Sequence, residues 1–470
     1  MRMSPRPGLA ALSLVAAVGL SIACAAPVSP PAAVTTPVAP GPANATQAPM
    51  ARPAGATADL LLARVEDPGP DGSLDQQKLG VLRARPIDPR TLQDIPGFTP
   101  LELGHHYKAA LAPDRRTLAT IVWPSGSSNA GGVLHLVDPV AWTDRVIDAP
   151  VDEAAWLGWS PHGTRVIWMR HVGSDPNLSL YAVFAADIAA PAARELARLP
   201  TGFQPQEARA VGSRLAVVGS SNDHYLATDD AAVAFVDLST GATPPLVRLA
   251  GTRLGQYSVS ETGLYPYRMV LPGLAWDLSR GRLIVVDAER DVVRVVDLNR
   301  GTESGPLAIR AHAAAKGPLT QAKMVSTTRK VAVVSADGRW LYVSGLREDV
   351  PVQGDSSRLT PLTLQRVDLT DMSATAQVAG GQGLWLSSDG TRLVLGGDAV
   401  RLLNASDLQA VAAVEMAPDA TVGGERAGIG YLVHASYPDG STLRAIELAT
   451  GRIAATRDIA RHVADLIPLR

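Results

Sequence analysis

The chain has 470 residues, enough for several ordinary domains or one large repeat array. Its 42 glycines and 36 prolines against 19% charged residues favour many short strands and turns over long solvated helices, and a formal net charge of -2 excludes the basic footprint of a nucleic-acid binder. The single cysteine, Cys24, excludes an intramolecular disulfide and a zinc site built on paired cysteines.

Residues 1–24 have the order of a secretory signal: Arg2 and Arg6, then the apolar run from Leu9 to Ala23, then the small residues before Cys24. Leu20, Ala23 and Cys24 resemble the lipobox of bacterial lipoproteins, in which the cysteine is lipidated and becomes the mature N-terminus. The resemblance implies lipidation at Cys24. Ser21 departs from it, since the family carries Leu, Val or Ile there, and this leaves ordinary cleavage nearby or an uncleaved anchor as alternatives. Residues 25–56 are rich in Pro, Ala and Thr, carry no charge before Arg52 and show no apolar period, so they are expected to be a disordered tether. Later residues lack the 18 or more consecutive apolar positions of a membrane-spanning helix. A domain held outside the cytoplasmic membrane by a lipid anchor is expected.

Residues 57–470 repeat a phrase. A polar turn followed by a short apolar run occurs at Ala112, Ser160, Ser279, Ser335 and Ser387. A second phrase, ending in an acidic or amide residue, recurs at Asp88, Asp138, Asp187, Asp237, Asp297, Asp368, Asn404 and Glu447, about 50 residues apart. Four short strands per period predict an all-β fold, a single β-propeller, because each four-stranded blade covers its faces only by packing on its neighbours. Leu60–Val65 and Leu79–Arg85 are expected to be middle strands of a first blade that lacks an inner strand. The tail His462–Arg470 can supply that strand and close the ring by pairing the two terminal segments. That arrangement predicts eight blades; a helical tail, which the spacing of Ile459, Val463, Leu466 and Ile467 also permits, would leave seven. The segment around Leu341, Tyr342 and Val343, with VVDLNRG from Val295, resembles WD-repeat-like and YVTN-type propellers of bacterial surface proteins. This resemblance implies fold far more than function.

Asp114, Asp337 and Asp389, with His162 in the equivalent place, are expected to form turns rather than act as acids or bases. His105 and His106 are neighbours on one strand and point to opposite faces, which disfavours a shared metal. Two insertions interrupt the period. Ser220–Asp230 gathers Asp223, His224, Asp229 and Asp230, a possible calcium-binding set without the spacing of an EF-hand. Gly251–Gly273, expected to be a loop between blades, gathers Arg253, Tyr257, Tyr265, Tyr267 and Arg268, residue types enriched in recognition surfaces. Trp156, Trp159 and Trp168 are expected to pack in the core of one blade. No GxSxG, GxxxxGK[ST], HExxH or paired-cysteine motif occurs. The expectation is a monomeric, cofactor-free binding or scaffolding module for a protein or envelope polymer. The alternative is a propeller hydrolase or lactonase with carboxylates on the central channel, with or without calcium.

Overall fold

Short alternating segments bounded by turn residues form strands here, and their pairing follows chain order almost throughout. In the computed structural model, the described residues run from 61 to 468. They omit the connections 67–81, 124–131, 174–178, 222–228, 259–266, 311–323, 352–357, 417–419 and 437–439 and a few single or paired positions. Cys24 and the tether lie outside them. The strands make six hydrogen-bonded sheets. The first runs from Leu61 to Ile147 and includes the C-terminal strand His462–Pro468; the second covers Ala154–Arg198. The third is compound, from Phe203–Val211 to Tyr267–Leu271 and again from Met324–Val334 to Ser373–Val378. The fourth (Gly273–Ala308), fifth (Gly383–Val414) and sixth (Thr421–Ile459) have four strands each.

Apolar clusters fill every interface around the ring. Trp159, Trp168 and Phe184 pack the first sheet on the second, and Phe203 and Val217 pack the second on the third. Leu283 and Val285 join the third to one side of the fourth, and Ile284, Leu341 and Val367 join the fourth's other side to the second part of the third. Leu364 and Leu393 then meet the fifth sheet, Leu402 and Ile446 the sixth, and Val65, Ile87, Leu443 and Leu466 return to the first. This is a single, closed, WD40-like β-propeller. The tail is a strand, not a helix: it pairs antiparallel with Leu61–Glu66, bringing Leu466 opposite Ala63 and Ile467 opposite Leu62.

The blade count needs correction. Eight, or seven, separate blades were expected, whereas continuous hydrogen bonding gives six sheets, two of them compound. In the first sheet, the 11-residue strand Leu101–Leu111 serves two partners: its start pairs with Leu82–Ile87, and from His105 onward it pairs with Leu118–Trp123. In the third, Val247–Ser258 and Tyr267–Leu271 form a hairpin whose second arm pairs in parallel with Met324–Val334. That hairpin bridges the fourth sheet and fuses the sheets on either side of it. A 50-residue period does not register such fusions, because they are made by backbone groups of residues with no distinguishing side chain.

The recurring polar phrases are scaffold. Asp237 accepts hydrogen bonds from the backbone N–H groups of Ser239 and Thr240, at 2.9 and 2.8 Å, and Asp297 does the same for Asn299 and Arg300. Asp114, Asp337 and Asp389 each accept from the N–H two residues ahead, while His162 is exposed in its turn. At Asp337 and Asp389 a serine hydroxyl and these N–H groups hold the carboxyl below its ordinary value. The hydroxyl and N–H of Thr370, with Arg339, pull the Asp368 carboxyl down to about 2, and Ser239 and Thr240 hold Asp237 well below the usual carboxylate range.

Candidate functional site

The two ends of the ring are built differently. At one end lie the turns between the first and second and between the third and fourth strands of each blade; most of those described are short, and the longest is the connection 88–100 in the first sheet. An arginine at the entry to the second strand links them across interfaces. Arg165 donates to Leu238 O at 3.2 Å, Arg214 to Asn299 O at 2.7 Å and Arg392 to Leu448 O at 3.1 Å. Arg282 bonds Asp277 at 2.8 Å and also reaches Gly338 O. Burial acts to raise the Asp277 carboxyl, but the Ser279 hydroxyl and Arg282 outweigh it and hold the group below its ordinary value. This arginine recurs in the sequence as TRV, SRL, GRL and TRL after four of the turns, a local signal readable in the linear pattern.

The opposite end carries the insertions. The strands flanking connections 67–81, 124–131, 174–178, 222–228, 259–266, 311–323, 352–357 and 437–439 all leave from it, because antiparallel order puts the second-to-third turn opposite the first-to-second. The described members of both candidate sets belong to this end. Asp223, His224 and Tyr265 lie outside the described residues. Asp229 and Asp230 begin the strand Asp229–Asp237, and Arg253 and Tyr257 lie on Val247–Ser258. Tyr267 and Arg268 begin Tyr267–Leu271, so the expected loop is largely a hairpin. Register sets Tyr257 opposite Arg268 and Asp230 opposite Arg253. A guanidinium opposite one of the proposed cation ligands works against a dedicated calcium site. The Asp230 charge also acts on Arg290. Among the described residues, no three His, Cys, Asp or Glu side chains form a metal-binding group.

A cavity of about 420 Å³ opens on the central channel toward the short-turn end. Its walls are the inner strands Phe203–Val211, Gly273–Asp277, Met324–Val334 and Gly383–Leu386, which contribute Glu207, Arg209, Trp276, Val334, Trp385 and Leu386. Glu207 Oε1 accepts from the Trp276 indole at 2.8 Å and lies 3.3 Å from Arg209 Nη2. A β-bulge orients the pair. Register shifts between Pro205 and Glu207, leaving Gln206 unmatched against the neighbouring strand. Strict alternation from buried Phe203 would send Glu207 to the same core face; the extra residue instead places Ala208 there. The bulge and the inter-sheet bond cannot be seen in a linear pattern, so sequence reading missed this site.

Of the tryptophans of the second sheet, Trp159 and Trp168 are core, and Trp156 is partly buried against the interface with the third sheet. Trp168 is fully buried and stacks on Phe184 with ring centroids 5.7 Å apart, and Trp159 donates to Ala110 O at 2.8 Å.

Comparison with known proteins places the chain by fold. No family model matches it, and no curated protein matches it. Dihydro-heme d1 dehydrogenase NirN in complex with DHE is similar in structure, with a TM-score of 0.50 at 11% identity over 90% of this chain and 76% of that one. The C-terminal WD40 domain of Sif2 aligns with a TM-score of 0.45 at 12% identity, covering 76% of this chain and 87% of that one. BamB from Moraxella catarrhalis aligns with a TM-score of 0.42 at 13% identity, covering 77% and 90%. At these identities the likeness is one of fold alone.

Proposed function

We propose that this chain is a non-catalytic binding or scaffolding propeller, presented outside the cytoplasmic membrane on a lipid at Cys24, with its insertion end as the contact surface. The observation that carries the reading is the asymmetry of the ring. One end carries mostly short turns and arginine links, apart from the connection 88–100, and the other bears a bridging hairpin and most of the longer connections. Loops on a rigid frame are where recognition residues are commonly placed. Arg253, Tyr257, Tyr265, Tyr267 and Arg268 form the proposed contact patch, for a protein or an envelope polymer. The protein acts as a monomer and requires no cofactor.

Position-specific photocrosslinking tests this reading. A photoreactive residue at Arg253 should give a discrete adduct in cell envelopes, and one at exposed Ser388 on the short-turn end should give none. Equal labelling at both positions would overturn it. Mass spectrometry of the N-terminal peptide, with a Cys24→Ser variant, tests the anchor: the wild type should carry a lipid and stay with membranes, the variant should not. Calcium titration should leave the melting temperature unchanged, whereas a saturable rise would favour the cation-dependent hydrolase instead.

A further inference from the structure

We propose that the channel cavity bounded by Glu207, Arg209, Trp276 and Trp385 is a binding site for a neutral saccharide unit. This goes beyond the partner-binding role, since the cavity opens toward the opposite end of the ring from the insertion hairpin.

Three observations support it. First, a cavity of about 420 Å³ lies within the range of small-ligand sites and would admit a sugar residue or two. Second, its walls are mostly apolar: Leu274, Val334 and Leu386, with two partly exposed indoles from different sheets. Indoles offer flat, polarisable surface, which suits the C–H faces of a pyranose ring. Third, the charged side chains of the lining are one carboxylate and one guanidinium 3.3 Å apart, and the Ser387 hydroxyl is already bonded to Asp389. Opposite charges so placed leave the site close to electrically neutral, so a charged ligand gains little from one partner that it does not lose to the other. Vicinal hydroxyls suit such a pair, because one can donate to the carboxylate while its neighbour accepts from the guanidinium.

The geometry is prepared for that use. Oε1 of Glu207 is occupied by the Trp276 indole N–H, which holds both side chains, while Oε2 meets no protein donor among the described residues. Arg209 has a half-exposed side chain whose other contact is a long 3.5 Å approach to Ala208 O. An acceptor and several donors therefore face solvent at the channel wall, beside two indoles.

The test uses the full chain in detergent, with cellobiose and N,N′-diacetylchitobiose as neutral probes and the naphthoquinone menadione as a planar, hydroxyl-free competitor. Calorimetry and tryptophan fluorescence should report saturable binding of at least one disaccharide. Glu207→Gln should weaken it about tenfold or more, as expected for losing a charge-assisted hydrogen bond. Trp385→Ala should also weaken it while leaving the Glu207–Trp276 bond in place, which keeps the test decisive if the Glu207 variant misfolds. Tyr257→Ala, on the insertion hairpin, should leave it unchanged, separating this site from the proposed contact surface. No saturable binding of either disaccharide, binding indifferent to both cavity variants, or binding of menadione alone would overturn the proposal.

Discussion

Closure of the ring by its C-terminal strand predicts a specific stability loss. Leu466 is fully buried between Leu61–Glu66 and the sixth sheet, where the backbone of Gly423 approaches it so closely that a Cβ there would sit 2.9 Å from Leu466 Cβ. Leu466→Ala should therefore leave a cavity that cannot collapse, at a cost of about 3 kcal/mol. Unfolding entropy of about 2.1 cal/mol/K per residue, over roughly 400 ordered residues, gives about 0.8 kcal/mol/K, so the melting temperature should fall by about 4 °C. Deleting His462–Arg470 removes Val463 as well, adds the loss of about 2 kcal/mol from its burial, and strips the hydrogen-bond partner from Leu61–Glu66. The expected drop is then at least about 6 °C, with a broadened transition as the open ring loses cooperativity. Differential scanning calorimetry reads both. Leu359→Ala, at a position 54% exposed, is the control and should shift the midpoint by less than 1 °C. If Leu466→Ala matched that control, the tail would not be a structural closure.

Other consequences follow from the turns and the bulge. Because the Asp368 carboxyl titrates near 2 in the folded chain and near 4 when unfolded, its contribution is complete above about pH 4 and is lost as pH falls toward 2; the same sign holds for Asp237 and Asp389. Melting curves from pH 5 to 2 should show this loss, and Asp368→Asn should flatten part of it. Arg282→Ala leaves Asp277, whose side chain is 3% exposed, without its closest cation and should cost about 2 kcal/mol, whereas Arg300→Ala, at an 82% exposed ion pair, should cost less than about 0.5 kcal/mol. Urea titrations of the two variants would separate these cases. Deleting Gln206 removes the bulge and turns Glu207 toward the Phe203 core, so this variant should melt lower than Leu466→Ala or fail to fold, as circular dichroism would report.

The linear sequence carried local information, and local information sufficed for much of the fold. Turn residues act on backbone groups two or three positions away, so the aspartates at 237, 297 and 368 announced their turns, and alternating apolar runs announced the strands between them. The 50-residue period carried the propeller, and the unpaired first strands with the apolar tail carried its closure. What joined distant segments was decided only in three dimensions. The fusion that makes the third sheet compound depends on parallel pairing between Tyr267–Leu271 and Met324–Val334, separated by a whole four-stranded sheet, and backbone pairing of that kind leaves no mark on side-chain type. The channel cavity depends on one unmatched residue, Gln206, reversing which side chains face inward, and on an indole 69 positions away meeting the carboxylate so exposed. A period can be counted along a chain, but a register shift and the contact it permits exist only once the strands have paired.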